Sequence, residues 1–579
     1  MTREPSRAQV VFLYFITAAI SLIAFILANK IWHADLRVPF SYAWYGDAIE
    51  PRTKQLLEGT WFHDTYLAAP FGQDSIAIAQ LNVLKWGIQW ILVELTRSPF
   101  LTQNLFEMLD PVLGSMTFLF AATRLGVSYA AAIPMAVLYG NLFVLYWRVL
   151  AGQAIEAAYW IVPLGCLALL QIARPIRLTR EGTQFAMTRE GYFFLGTAVL
   201  IGLESHYEVF FMGALAIAAT LVGCIQGRSF QALSTGRTFI VVMAISFAVN
   251  LSPTLLWSLT HHEHPYTYAR NPVEAYLYSV SLSQLILPNS SHRIPLFAHV
   301  RQAFDDVIPM LSNENAAAAL GLAGTIGLCI LCVAIVARGA WKTSRFIEHA
   351  SYLTIAAIAL AAPGGLGAIF SRFITPDVRA YNRISSWIAF FCLLAVSYVL
   401  EQVWQRLRNA NRVPLYVGLA ALIIVGGVLD QSPDHTPPYQ LSAERAADDS
   451  AWIERIEQTL PANAGVLQIP YSDNYEALLA EKQQVPYLYS QGLRWSMGAF
   501  AGMRGATFEN HIATLEPRAM VDAALASGFA AILIYRSDMP QDSSFEARLT
   551  SIVGKGPMLN SSGGQALYTI YQLRKAPHN

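Results

Sequence analysis

The chain has 579 residues, of which 54% are hydrophobic and only 13% charged, and its mean hydropathy is +0.39. Soluble domains carry about 25% charged residues, so this deficit excludes an ordinary soluble protein and indicates a polytopic α-helical membrane protein. The formal net charge is zero, which gives no electrostatic basis for a nucleic-acid partner.

A helix crosses the hydrocarbon core with about 20 apolar residues. On that rule about eleven spans are expected, near residues 10–29, 103–123, 128–147, 156–173, 191–204, 207–226, 237–259, 316–337, 350–368, 384–401 and 414–430. The first has no small-residue cleavage site after it, so it reads as an uncleaved span. Residues 78–96 contain Lys85 and Glu94 and fit either a span or an amphipathic helix along the surface. The five cysteines (Cys166, Cys224, Cys329, Cys332 and Cys392) all fall in apolar stretches and read as small hydrophobes. Cys329 and Cys332 have CxxC spacing without a second ligand pair, so no metal is expected there.

Lys and Arg concentrate in short cytoplasmic loops. With the N-terminus inside, the even-numbered connections also lie inside. They carry Arg124; Arg174, Arg177, Arg180 and Arg189; Arg228 and Arg237; Arg338, Lys342 and Arg345; and Arg406, Arg408 and Arg412. Residues 30–102, 260–315, 369–383 and everything after about 431 then lie outside. Composition changes at Gln431-Ser432-Pro433-Asp434-His435-Thr436-Pro437-Pro438, a polar, proline-rich linker. Beyond it residues 451–460 and 545–553 read as helices, and 466–470, 530–535 and 566–573 as strands. The expected organisation is a transmembrane domain over 1–430 and a small extracytoplasmic α/β domain over 431–579. No internal repeat is evident.

Ionisable groups at a membrane edge are costly and often functional. Those expected on the outer face begin with Asp47 and Glu50, in Tyr45-Gly46-Asp47-Ala48-Ile49-Glu50. Two readings fit Asp47: the N-cap of a helix starting at Ala48, or a general base for an acceptor hydroxyl. Gln153 and Glu156 follow, then Glu204, His206, Tyr207 and Glu208 in a tight turn. The long loop brings Arg270, Glu274, His292, Arg293 and Asn313-Glu314-Asn315. Last come Arg372, Arg379, Tyr381 and Arg383, against the positive-inside bias. Arginine suits bidentate phosphate recognition, and lipid headgroup anchoring accounts for the same positions. No Walker, GxSxG or HExxH motif occurs. No sizeable soluble domain is expected inside, so an activated donor used outside arrives on a lipid.

A carboxylate in the first outer loop, many spans and an outer C-terminal domain together resemble the GT-C superfamily of polyprenol-phosphate-dependent glycosyltransferases. Motif blocks extend the likeness to a bacterial YfhO-like branch, often labelled as phosphoglycerol transferases. The blocks are Pro70-Phe71-Gly72, Gln284-Leu285-Ile286-Leu287-Pro288 with His292-Arg293, Asn313-Glu314-Asn315, Arg379-Ala380-Tyr381-Asn382-Arg383-Ile384-Ser385 and Leu493-Arg494-Trp495-Ser496-Met497-Gly498. The resemblance implies an inverting transfer of sugar from a polyprenyl-phosphate carrier to a glycan, lipid or protein acceptor outside a bacterial inner membrane. Asp47 matches the family's general base. Arg379 and Arg383, with Arg270, His292, Arg293 and Arg372, are candidates for the donor phosphate. Glu50, Gln153, Glu156, Glu204, His206, Tyr207 and Tyr381 are candidates for the substrate cavity. Gly-Asp stands where some branches carry Asp-Xaa-Asp, so no divalent metal or other cofactor is indicated. Gln153 stands where related chains often carry His. Two alternatives remain open at this point: a transporter or lipid-linked glycan flippase, and another lipid-phosphate-dependent envelope transferase (polymerase, ligase or phosphoglycerol transferase).

Overall fold

The computed structural model describes residues 5–41, 51–176, 178, 187–261, 263, 265, 270–311, 313–336, 344–471, 478–539, 544–560 and 568–573. Asp47 and Glu50 lie outside the described residues. Eight helices among those described are long and apolar enough to cross a membrane, or nine if the bent pair Arg345–Ala361 and Leu366–Phe373 is one span. Helices stand at all eleven expected positions, yet two are short: Arg189–Gly202 has 14 residues and Gly321–Val336 has 16. At about 1.5 Å per residue neither reaches across a hydrocarbon core of about 30 Å without help from flanking residues. The ambiguous segment is the helix Val83–Thr96, 14 residues long. Its Trp90, Ile91 and Leu95 face outward while Lys85, Trp86 and Gln89 are buried, the amphipathic pattern of a helix lying along a surface.

Pro99–Arg124, Tyr129–Gly140, Val162–Ala173 and Ser385–Asn409 form the middle of the bundle. Ile384 through Ala395 are all almost completely buried except for the small Ser385 and Ser386, which are also buried. Lipid tails are as apolar as leucine, so close backbone packing must hold such helices together. Small residues permit it. Gly327 lies against the Cys392 backbone, Gly165 against the Trp387 ring and Gly140 against the Pro111 carbonyl. Val413–Gln431 sits at the periphery, with Leu415, Val417, Leu422 and Val425 exposed.

Two short strands, β1 (His63–Asp64) and β2 (Gln73–Asp74), pair antiparallel in the first loop. The tail holds β3 (Gly465–Ile469), β4 (Arg494–Trp495), β5 (Phe529–Tyr535), β6 (Leu559–Asn560) and β7 (Tyr568–Gln572). Their order is β4-β3-β5-β7-β6. β3 is parallel to β4 and β5, and β7 is antiparallel to β5 and β6. The first loop covers the β4 edge: Trp495 N–H donates to the Tyr66 carbonyl at 2.7 Å, and Ala69 N–H donates back to Trp495 at 3.0 Å. Helix Pro51–Glu58 grips the same face. Lys54 Nζ donates to the Tyr487 carbonyl at 2.5 Å and also to that of Ser490, while Tyr487 Oη donates to Asp64 at 2.8 Å. The stretch expected as a loose linker is anchored too, since Asp434 N–H donates to the Ser291 carbonyl at 2.8 Å.

Candidate functional site

A cavity opens where seven elements meet. Each side chain arrives by a local device. Helix Phe143–Ala151 carries Arg148 and ends at Gly152, whose φ of +72° lets the chain turn at the C-terminus. The turn delivers Glu156. Lys85 stands in the first turn of Val83–Thr96. Ser205 caps the helix His206–Gly223 by accepting the Tyr207 N–H at 3.2 Å, which sets Glu208 in its first turn. Asn313 caps the 3-10 turn Glu314–Ala318. A second 3-10 turn, Tyr381–Ile384, presents Asn382 and Arg383 just before Ser385–Asn409 begins.

Charge in the cavity is mixed and mostly paired. Arg148 meets Glu314 at 2.8 Å and also donates to Gln153. Asn382 Nδ2 donates to Glu314 at 3.1 Å. Burial alone would raise the Glu314 pKa, but Arg148 and Arg383 outweigh it and hold the carboxyl down at about 2. Lys85 lies 3.5 Å from Glu204 and 4.0 Å from Glu208, and donates to the Ile155 carbonyl at 3.2 Å. Arg383 differs from these. Its guanidinium lies 4.6 Å from the centre of the Tyr207 ring, and its Nε is buried without a hydrogen-bond partner among the described residues. A guanidinium fork against an aromatic face at a cavity wall can receive an anion.

Of the residues singled out from sequence, Glu156, Glu208, Glu314, Asn382 and Arg383 line this cavity. Gln153 and Glu204 stand behind its wall, paired with Arg148 and Lys85, Tyr207 lies under the Arg383 guanidinium, and His206 packs 4.3 Å from the Tyr207 ring. Tyr381 packs beside Phe210 and Phe211, its hydroxyl buried without a partner among the described residues. Arg379 and Arg383 do not share a helical face, because the helix starts only at Ser385. Arg379 instead binds Glu274 at 2.9 Å and covers Tyr278, with Arg270 at 3.8 Å from the same Glu274. Arg372 is exposed in the last turn of Leu366–Phe373. His292 lies 3.2 Å from Asp430, and Arg293 donates to Ser432 at 2.9 Å, so both tie the long loop to the foot of Val413–Gln431. Sequence reasoning passed over Arg148. Its signal was there: a lone cation inside the apolar run Phe143–Ala151. No group of three or more metal-ligating side chains occurs among the described residues.

Eight or nine apolar helices beside a polar, arginine-bearing cavity define the class: a multi-pass membrane protein. No family model and no curated protein matches the chain. Among solved structures it is similar to the oligosaccharyltransferase of Archaeoglobus fulgidus in complex with Zn and sulfate, at 13% identity over 94% of this chain and 70% of that one, TM-score 0.43. It is also similar to ArnT from Cupriavidus metallidurans bound to undecaprenyl phosphate, at 13% identity over 98% of both chains, TM-score 0.49. A third is the arabinofuranosyltransferase AftD from Mycobacteria, at 13% identity over 98% of this chain and 41% of that one, TM-score 0.41.

Proposed function

We propose that the chain is a GT-C-type glycosyltransferase, which moves a sugar with inversion from a polyprenyl-phosphate carrier to an acceptor on the extracytoplasmic side of a bacterial inner membrane. The observation that carries this reading is Arg383, a guanidinium at the wall of a cavity whose buried Nε has no hydrogen-bond partner among the described residues. As the bond from the anomeric carbon to the phosphate oxygen breaks, negative charge grows on the carrier phosphate. A fixed guanidinium stabilises that charge where it develops. Asp47 acts as the base that takes the acceptor's hydroxyl proton, from the face opposite the leaving phosphate. One contact supports bringing the two together. Thr53, on the helix that follows residues 42–50, donates to Gln89 at 2.8 Å, and Gln89 lies one turn from Lys85 of the cavity. The tail, residues 431–579, forms the extracytoplasmic domain of this enzyme.

Asp47→Asn tests the assignment. Transfer is expected to fall by at least about a hundredfold, while carrier binding and the unfolding midpoint stay at wild-type values. Transfer at a near-normal rate with Asn at 47 removes Asp47 from the chemistry.

A further inference from the structure

Glu314 stands between the two arginines of the cavity. Arg148 holds it at 2.8 Å, Asn382 donates to it at 3.1 Å, and Arg383 lies near enough to depress its titration. Half of the positive charge of the arginine pair is thus neutralised within the protein itself. The other charged groups around the pair do not restore it. Lys85 is matched by Glu204 and Glu208, Glu156 adds a further carboxylate, and His206 and Tyr207 stand beside Arg383.

This arrangement bears on the two charge states of the carrier. The sugar-bearing carrier is a phosphodiester with one negative charge. In the transfer the acceptor oxygen bonds to the anomeric carbon and its proton goes to the base. The electron pair of the broken bond stays on the phosphate oxygen. The spent carrier is then a phosphomonoester whose second pKa is about 6, so it approaches two negative charges above neutral pH. Two guanidinium groups alone would suit that dianion. Two guanidinium groups and one carboxylate leave that trio a single positive charge, and Glu156 together with the second carboxylate beside Lys85 reduces it further, so the site suits at most a monoanion and repels the second charge of the product.

Resting on the glycosyltransferase reading, we propose that Glu314 is a specificity residue that sets the cavity to hold a lipid phosphodiester and to reject the lipid phosphomonoester, so that the spent carrier leaves.

The test measures binding of two probes to the purified full chain in micelles at pH 8: undecaprenyl phosphate, and its methyl diester. The wild type is expected to bind the diester about tenfold more tightly. Glu314→Gln, which keeps the shape and an acceptor for Asn382, is expected to bind the monoester at least as tightly as the diester. Glu314→Asp keeps the charge and the wild-type preference. A Glu314→Gln chain that binds both probes and still prefers the diester overturns the proposal. Wild-type protein that binds neither probe overturns the glycosyltransferase reading instead. Should Glu314→Gln fail to fold, the wild type alone decides. Its monoester affinity must fall relative to the diester as pH rises from 5 to 8, and a constant ratio overturns the proposal.

Discussion

Arg148 and Glu314 form an ion pair in which both side chains are largely withdrawn from water. Removing one member of such a pair leaves a buried charge uncompensated and costs about 3–5 kcal/mol, whereas replacing both by neutral groups costs far less. Arg148→Ala is therefore expected to lower unfolding stability in micelles by about that amount, and Arg148→Met with Glu314→Gln to recover most of it. A double variant as unstable as the single one would mean that Arg148 acts through packing alone. The pair also sets an acid limit. Glu314 titrates at about 2 in the folded chain against an ordinary 4.5. Between those values the unfolded chain binds the proton first, so the stabilisation present above 4.5 is lost as pH falls towards 2. Unfolding midpoints measured from pH 6 to pH 3 should fall less steeply for Glu314→Gln than for the wild type. Arg383 and Arg379 differ in the same way at the level of function. Arg383→Ala is expected to weaken undecaprenyl phosphate binding about tenfold, the worth of a charge-assisted hydrogen bond. Arg379→Ala, whose guanidinium is held on Glu274 at 2.9 Å, is expected to change it less.

At the scale of elements, the first loop and the tail sheet are one packed unit. Residues 66–69 extend the sheet beyond β4, and Lys54 and Tyr487 join helix Pro51–Glu58 to helix Leu478–Tyr489. Tyr487 Oη lies 2.8 Å from Asp64, to which it donates, and 3.2 Å from Glu58, which shares the same proton. Tyr487→Phe leaves both carboxylates short of a donor and is expected to cost about 1–3 kcal/mol. Limited proteolysis should show the first loop and the tail becoming cleavable together. Cleavage of the tail alone would mean that the loop holds its shape independently. The strands β3, β5 and β7 were legible in sequence because apolar runs and alternation are local patterns. β4 was not, because it has two residues and its second neighbour lies more than four hundred positions away in the first loop. The block Leu493 to Gly498 stood out in sequence as part of the family resemblance, and its hydrogen bonds with residues 66–69 give it a structural role.

For the whole molecule, the charge pattern predicts which face of the bundle lies outside. Arg518 lies on the tail surface with 73% of its side chain exposed. Arg518→Cys is expected to react with a membrane-impermeant maleimide in intact cells, and Arg408→Cys only after permeabilisation. The reverse pattern would invert the topology and remove the cavity from the extracytoplasmic side. Span positions were legible because hydropathy is summed over neighbours in the chain. Span lengths were less so. Gly321–Val336 is five residues shorter at its start than the expected span near 316–337, because residues 314–318 form a 3-10 turn that carries Glu314 to Arg148.

Composition and local order by themselves determined that this is a many-helix membrane chain with a polar tail, and they marked Glu156, Glu208, Glu314 and Arg383 among many polar loop residues. They could not separate Arg383 from Arg379, nor bring Arg148 and Glu314 to them. Both distinctions depend on which partner each charge meets. Arg379 is held on Glu274, Arg383 stacks on the Tyr207 ring with Glu314 nearby, and Glu314 is drawn to Arg148 from 166 positions away. A charge's worth is set by its surroundings in space, and those surroundings exist only once the helices have packed.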